Sequence, residues 1–243
     1  LLREGEVLGA FFGWVTDGIY QQGDDFSAQP NKKPGDIRYK DLFGRDKNNQ
    51  LTVGANGVVN ADDRTIIGDP NPDFTFGFNN DFKYKNFDLS FMFQGQNGGH
   101  IYSLLGRALG RTGQGSSDNA LGFYRDRWRS EEEPGEGRVG KAYSTFGRIK
   151  NTDWLYSSDY WRLRNVTLGY NIKDLKLGSQ SKLSLVRLFV TLENFWGKDK
   201  YDGGVNPESS NTNLSGSADY PEAGDYGGLA IPKTVTFGLN VNF

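Results

Sequence analysis

The 243-residue sequence holds few side chains arranged for bond-making chemistry. His100 is the one histidine, so a serine or metal hydrolase with a histidine base would have to use it. It follows "QNGG" with no nucleophile motif nearby and reads as a loop residue. The neighbouring carboxylates Asp24/Asp25 and Asp62/Asp63 invite a glycosidase reading. Carboxylates flanking a glycosidic bond must stand ~5–10 Å apart with one pKa raised, and adjacency in sequence establishes neither. No Gly-rich phosphate loop, dinucleotide fingerprint or zinc spacing occurs. With no cysteine, thiol catalysis and disulfides are excluded. The chemistry that remains is recognition. In "FYRDRWRSEEEPGEG" (123–137), Tyr124, Trp128 and the nearby arginines can stack on and hydrogen-bond a polar ligand. Trp154 and Tyr156 stand just before an extended segment and can face a solute or a partner. The plain alternative for 123–137 is a short helix with solvated charges, closed by Pro134 and Gly135.

The elements that must carry these residues are strands. Phe, Tyr, Gly, Asn and Asp are abundant, while Met is nearly absent and the net charge is −2. That composition suits β-strands joined by long polar loops. There is no basic excess to bind nucleic acid. No run of about 18 apolar residues occurs, and no signal-peptide pattern heads the sequence.

Strict period-two alternation marks 73–84, 86–97, 160–172, 183–196 and 233–243. A less regular segment, 10–20, is expected to be a sixth strand. In 233–243, Val235, Phe237, Leu239, Val241 and Phe243 share one face, and Thr234, Thr236, Gly238, Asn240 and Asn242 share the other. The strands exceed the usual soluble length of about 5–6 residues. They match the ~9–11 tilted residues that cross a bilayer core. Short connections at 85 and near 173–182 alternate with long ones at 21–72, 98–159 and 197–231. Outer-membrane barrels alternate in this way, with the long loops outside. A soluble, secreted β-sandwich that binds glycans through exposed aromatics is the alternative. Arg162 and Arg164 break the alternation, and two explanations stay open: a bulge near Asn165 that switches parity, or arginines at the outer headgroup level. Tyr84, Tyr170 and Phe243 are expected at one aromatic girdle and Trp196 at the other.

Several of these stretches resemble one family. "TFGLNVNF" at the end resembles the C-terminal strand of outer-membrane barrels. The run 34–98, from "PGDIRYKDLFG" through "DFTFGFNNDFKYKNFDLSFMFQGQNG", resembles the C-terminal third of SusC/RagA-type TonB-dependent transporters. "YWRLRNVTLGYNI", "LFVTLENFW" and "DYPEAGDYGGLAIPKTVTFGLNVNF" are similar to that family's following segments, in the same order. The resemblance implies an all-β fold, namely the C-terminal strands of an antiparallel transmembrane barrel of about 22 strands with long extracellular loops. It implies residence in the outer membrane of a Gram-negative bacterium. It also implies TonB-driven import of oligosaccharides or peptides with a SusD-like surface lipoprotein, and no enzyme activity. The plug and TonB contact belong to a part outside this sequence, so residues 1–243 are expected to be a portion of a longer chain.

The same family often carries a calcium-loop-like run where this chain has 41–63. Asn56, Gly57, Val58, Asn60 and Asp63 match its second half and Asp41 its first ligand. Residues 45–55 interrupt it, Phe43 replaces an oxygen donor, and Asp46 is the available substitute. The resemblance therefore implies an optional Ca²⁺ held by Asp41, Asp46, Asn56, Val58, Asn60 and Asp63, with no cofactor required. The alternative is an Asn/Asp/Gly turn whose carboxylates bond local N–H groups. Tyr201, Tyr220 and Tyr226 lie in segments similar to family loops near the outer mouth. Tyr201 and Tyr226 join Tyr124, Trp128, Trp154 and Tyr156 as candidate substrate or partner contacts.

Overall fold

The computed structural model describes residues 4–109, 120–142, 150–177, 181–209, 224–225 and 227–242. In chain order the strands are β1 (Phe11–Gly13), β2 (Thr16–Ile19), β3 (Ile37–Tyr39), β4 (Phe43–Arg45), β5 (Leu51–Val53), β6 (Thr65–Gly68), β7 (Phe74–Tyr84) and β8 (Phe87–Asn97). They continue with β9 (His100–Ser103), β10 (Leu155–Ser157), β11 (Tyr160–Leu177), β12 (Ser181–Asp199), β13 (Gly224–Asp225) and β14 (Thr234–Asn242). One short helix, α1 (Leu104–Leu109), follows β9. No helix is long and apolar enough to cross a membrane among the described residues.

The long strands form one antiparallel sheet in the order β14-β12-β11-β8-β7. Each pairs with the next long strand in the chain, as the alternation of short and long connections requires. Register then aligns the apolar positions into rows. One row is Phe82–Leu89–Leu168–Val190–Phe237, and the next is Tyr84–Phe87–Tyr170–Leu188–Leu239. Rings meet across strands on this face: Phe87 and Tyr170 are 4.8 Å apart, Phe93 and Trp161 5.5 Å.

Nothing in the described chain covers that face. Phe237 is 81% exposed, Phe78 65% and Leu239 59%, while Phe76, Leu89 and Val190 are only half-buried. Full burial of one such side chain is worth about 1.5–3 kcal/mol, so a face of this kind is not built for water. The sandwich alternative needs these residues in a closed interior between two sheets. They are not in one.

β7, β8 and β14 fall within one residue of their expected bounds. β11 and β12 run longer than their apolar stretches, because the backbone ladder continues to Leu177↔Ser181. Phe243 lies outside the described residues. The segment 10–20 departs from expectation. It forms two short strands, β1 paired with β6 and β2 paired with β3, and neither joins the main sheet. Its rings turn inward, unlike a membrane strand's: Phe11 is 3% exposed and packs with Tyr102 and Trp154. Ile19 packs with Ile37 and Tyr39. Leu183 and Val186 are buried on β12, but the two buried clusters of the described residues draw on 10–68, 100–104, 128 and 154–155, all outside the long strands. These form a cap at the end of the sheet where the long connections leave it.

Candidate functional site

Opposite the apolar rows lies a polar face. Asp88 on β8 and Arg187 on β12 bridge over the intervening β11, with Arg187 Nε donating to Asp88 Oδ1 at 3.1 Å and Nη2 to Oδ2 at 2.5 Å. Asn171 Nδ2 donates to the same carboxylate at 2.6 Å. Thr167 and Thr191 share a hydroxyl contact at 2.8 Å. Phe189 lies over Gly238, where any Cβ would strike its ring.

At the cap end of this face stand Arg162 and Arg164, two residues apart on β11, and a bulge there sets them on the polar side while Val166 and Leu168 keep the apolar one. The register shifts between Leu163 and Asn165 against both neighbouring strands. The bulge explanation of the broken alternation therefore holds. Both guanidinium groups point to Glu208 in the β12–β14 connection. Arg164 donates directly to Glu208 Oε2, while Arg162 Nε stands 3.6 Å from Oε1. Arg164 Nη1 also reaches Asn194 Oδ1 at 3.4 Å. The side-chain carbonyl of Gln94, in the amide orientation that satisfies both groups, accepts from Arg164 Nε at 2.9 Å. The sequence signalled the arginines through their broken parity. It held no signal for Glu208.

Most of the predicted aromatic contacts are packed within the cap. Tyr124 is 6% exposed, with Arg127 over its ring at 5.4 Å. Trp128 is half-buried against the Ile19–Ile37–Tyr39 cluster. Trp154 is in the Phe11–Tyr102 cluster. Tyr201 is buried and donates to Asp225 Oδ2 at 2.8 Å, and burial pushes its hydroxyl pKa up. Half-buried Tyr156 meets the Tyr201 ring edge-on at 5.8 Å. Tyr220 and Tyr226 lie outside the described residues. The segment 123–137 holds a single 3₁₀ turn, Gly122–Asp126, rather than a helix closed at Pro134.

The 41–63 loop brings its carboxylates to backbone amides. Asp63, fully buried, accepts from Leu42 N at 2.7 Å, Phe43 N at 3.0 Å and Asn60 N at 2.7 Å. Asp41 accepts from Asn56 N at 3.0 Å and Gly57 N at 2.6 Å. Asp46 Oδ1 caps the β4–β5 turn through Asn48 N and Gln50 N, each at 2.8 Å. Asn60 Oδ1 accepts from Asp62 N, Asn56 Oδ1 accepts from Val58 N, and Val58 is half exposed. Oxygens that receive N–H donors point at partial positive charge already. This donor set does not fit a cation site as arranged. Among the described residues no group of three His, Asp or Glu side chains is placed to share a metal.

The acidic pairs serve turns and ion pairs. Asp24 accepts from Gln21 N at 2.9 Å and Asp25 from Ser27 N at 2.8 Å. Asp62 holds Arg45 through two bonds of 2.6 and 2.7 Å, which keep its carboxyl below the usual range. His100 sits on β9 opposite Ser157, against Gly68. Among the described residues Asp153 is the carboxyl with a raised pKa, because burial in the cap outweighs the bond it accepts from Thr16 Oγ1.

No protein-family model matches the chain. It is 33% identical over its whole length to the TonB-dependent receptor P3 of Formosa agariphila, of which it spans 23%. It is 28% identical over 78% of its length to the TonB-dependent receptor SusC of Bacteroides thetaiotaomicron, spanning 17% of that protein. In structure it aligns over 96% of its residues with a chain of the RagAB peptide transporter, at a TM-score of 0.66 and 18% identity, spanning 23% of that chain. The chain thus spans about a quarter or less of the relatives it matches. Apolar rows facing outward, polar rows behind them and similarity along the full sequence agree: the chain is a C-terminal portion of a TonB-dependent receptor of the SusC/RagA type.

Proposed function

We propose that this chain forms a sector of wall and outer mouth in an outer-membrane importer of oligosaccharides or peptides, working with a SusD-like surface lipoprotein. The observation that carries the reading is the pair of unlike faces on one sheet. Continuous apolar rows, open across all five strands, suit acyl tails, and the Asp88–Arg187, Thr167–Thr191 and Arg162–Arg164 face suits a wet lumen. The aromatic levels support it: Tyr84, Phe87 and Tyr170 lie near the turn end, and Trp161 and Trp196 lie near the cap end. The free edges of β7 and β14 must pair elsewhere in the receptor, because unpaired backbone is not tolerated in lipid. In this reading the chain makes and breaks no bond. TonB supplies energy through a part of the receptor beyond these residues, and the cap shapes the contact with lipoprotein and cargo. In this reading backbone amides hold the carboxylates of the 41–63 loop.

The test uses the full-length receptor in mild detergent. A folded barrel migrates faster on gels unboiled than boiled. Outer-membrane fractionation and co-purification of a surface lipoprotein are expected alongside. Identical migration, together with solubility as a monomer without detergent, would overturn the reading.

A further inference from the structure

Among the described residues the polar face carries two ion-pair sites, and they differ. At the turn end, one acid meets one base, and every close contact is made: Asp88 takes two bonds from Arg187 and one from Asn171. At the cap end, two arginines face one acid. Among the described residues Glu208 is the only carboxylate paired with them. Arg162 Nε and Glu208 Oε1 are both buried, stand 3.6 Å apart, and have no hydrogen-bond partner among the described residues. Arg164 is satisfied by Glu208 and amide groups, so the positive charge in excess belongs to Arg162. Leaving a buried guanidinium N–H unmatched is costly, so a fold gains nothing from it in isolation.

The backbone is shaped for this pair. Arg162 and Arg164, two residues apart, share a face by alternation, and the bulge between Leu163 and Asn165 switches parity so that this face is the polar one while Val166 and Leu168 keep the apolar one. Bulges next to binding sites commonly re-aim a side chain in this way. Guanidinium groups recognise carboxylates through paired N–H donors. Glu208 is not part of the wall. It comes from the loop side, on a turn held by Asn206, whose Oδ1 accepts from Glu208 N at 3.0 Å.

We propose that Arg162 and Arg164 form a carboxylate-binding site for the solute at the mouth, and that Glu208 is its internal occupant, exchanged when a solute carboxylate arrives. This rests on the importer reading and deepens it. The solute class is one that bears a carboxylate, and a peptide C-terminus and a uronic acid share that chemistry.

The experiment titrates purified full-length receptor, wild type and variants, with two matched probe pairs. The peptide arm compares trialanine with trialanine amide. The sugar arm compares trigalacturonate with its methyl ester. Glu208→Gln is expected to tighten binding of the free acid in one arm by about tenfold, the effect of one charge-assisted bond, and to leave the amide or ester unchanged. Arg162→Gln is expected to abolish the preference for acid over its neutral analogue, and Arg164→Gln to do the same. The arm that responds names the source of the carboxylate. Equal binding of acid and neutral analogue by Glu208→Gln, or no binding of either probe, overturns the proposal and means that Arg162 is matched by another part of the receptor. Each variant is first checked for heat-dependent gel migration. A variant that keeps that shift yet shows no acid preference refutes the carboxylate site and leaves the importer reading standing. Loss of the shift in wild type as well refutes both.

Discussion

Asp88 and Arg187 reach each other only because residue 169 between them is glycine. They sit on β8 and β12, with β11 in between, and Gly169 pairs with Asp88 on one side and Phe189 on the other. A Cβ at 169 would lie 2.5 Å from Asp88 Oδ2 and 2.7 Å from Arg187 Nη2. A sheet normally lets side chains meet only between adjacent strands. Here the missing side chain opens a second-neighbour bridge along the polar face. Gly169→Val is expected to separate the pair and destabilise the folded receptor by about 1–3 kcal/mol, since a partly buried charge loses its partner. Denaturant titration of the heat-dependent gel shift would measure it. A variant within 0.5 kcal/mol of wild type, a margin roughly that of ordinary surface substitutions, would show the bridge to be idle.

The two faces should respond oppositely to charge. Leu168→Lys places an ammonium group on the apolar face within the central rows, where ~2–4 kcal/mol is expected near the midplane. Ser90→Lys, one strand away on the polar face, is expected to cost less than about 1 kcal/mol. Refolding of both variants into lipid vesicles, followed by denaturant titration, compares them. Equal costs would contradict a lipid-facing assignment.

Asp63 is the anchor of the 41–63 loop. Its removal in Asp63→Ala strips the acceptor from three backbone N–H groups, and about 3 kcal/mol of local stability should go with it. Limited proteolysis between residues 41 and 63 is the readout, with faster cleavage expected. Millimolar Ca²⁺ or a chelator should leave the wild-type cleavage rate unchanged. Protection by Ca²⁺ would show that the loop rearranges around a cation.

Asp153 makes the cap sensitive to pH. Burial raises its carboxyl pKa above the ordinary value of about 3.9, and Thr16 only partly offsets this. Between that ordinary value and the raised one, the folded cap holds a proton that the unfolded chain has lost. Stability therefore falls as pH rises through this window, and the penalty is complete above it. Asp153→Asn keeps an acceptor for Thr16 and carries no charge, so it should remove this slope. Thermal unfolding of wild type and variant from pH 4 to 7 checks the sign. Parallel pH profiles would refute it.

The sheet was legible in the residues because alternation is a local property. Phe74 to Tyr84 and Phe87 to Asn97 declare their faces without reference to any other segment, and the single turn between them leaves one register. The segment 10–20 was not legible. Its apolar residues suggest an irregular membrane strand, but Phe11 is buried by Tyr102 and Trp154, and Trp14 and Ile19 pack with Ile37 and Tyr39, contacts that the segment itself does not contain. Tyr124, Trp154 and Tyr201 were likewise visible as aromatics in loops, yet whether a ring is offered to a solute or packed beneath one is a property of contact, not of composition.

By itself the order of residues determined the five long strands, their two faces, the alternation of short and long connections and the broken parity at Arg162 and Arg164, since each follows from spacing along one stretch of backbone. Tertiary structure alone decided that Asp41 and Asp63 bind amides, that Glu208 meets the two arginines, and that Asp88 crosses Gly169 to Arg187. Apart from the Asn60 amide beside Asp63, those partners are 15 to 99 residues apart in the chain. Charge and hydrogen bonding act over a few ångströms, so such pairs exist only once the sheet and its cap have brought them together.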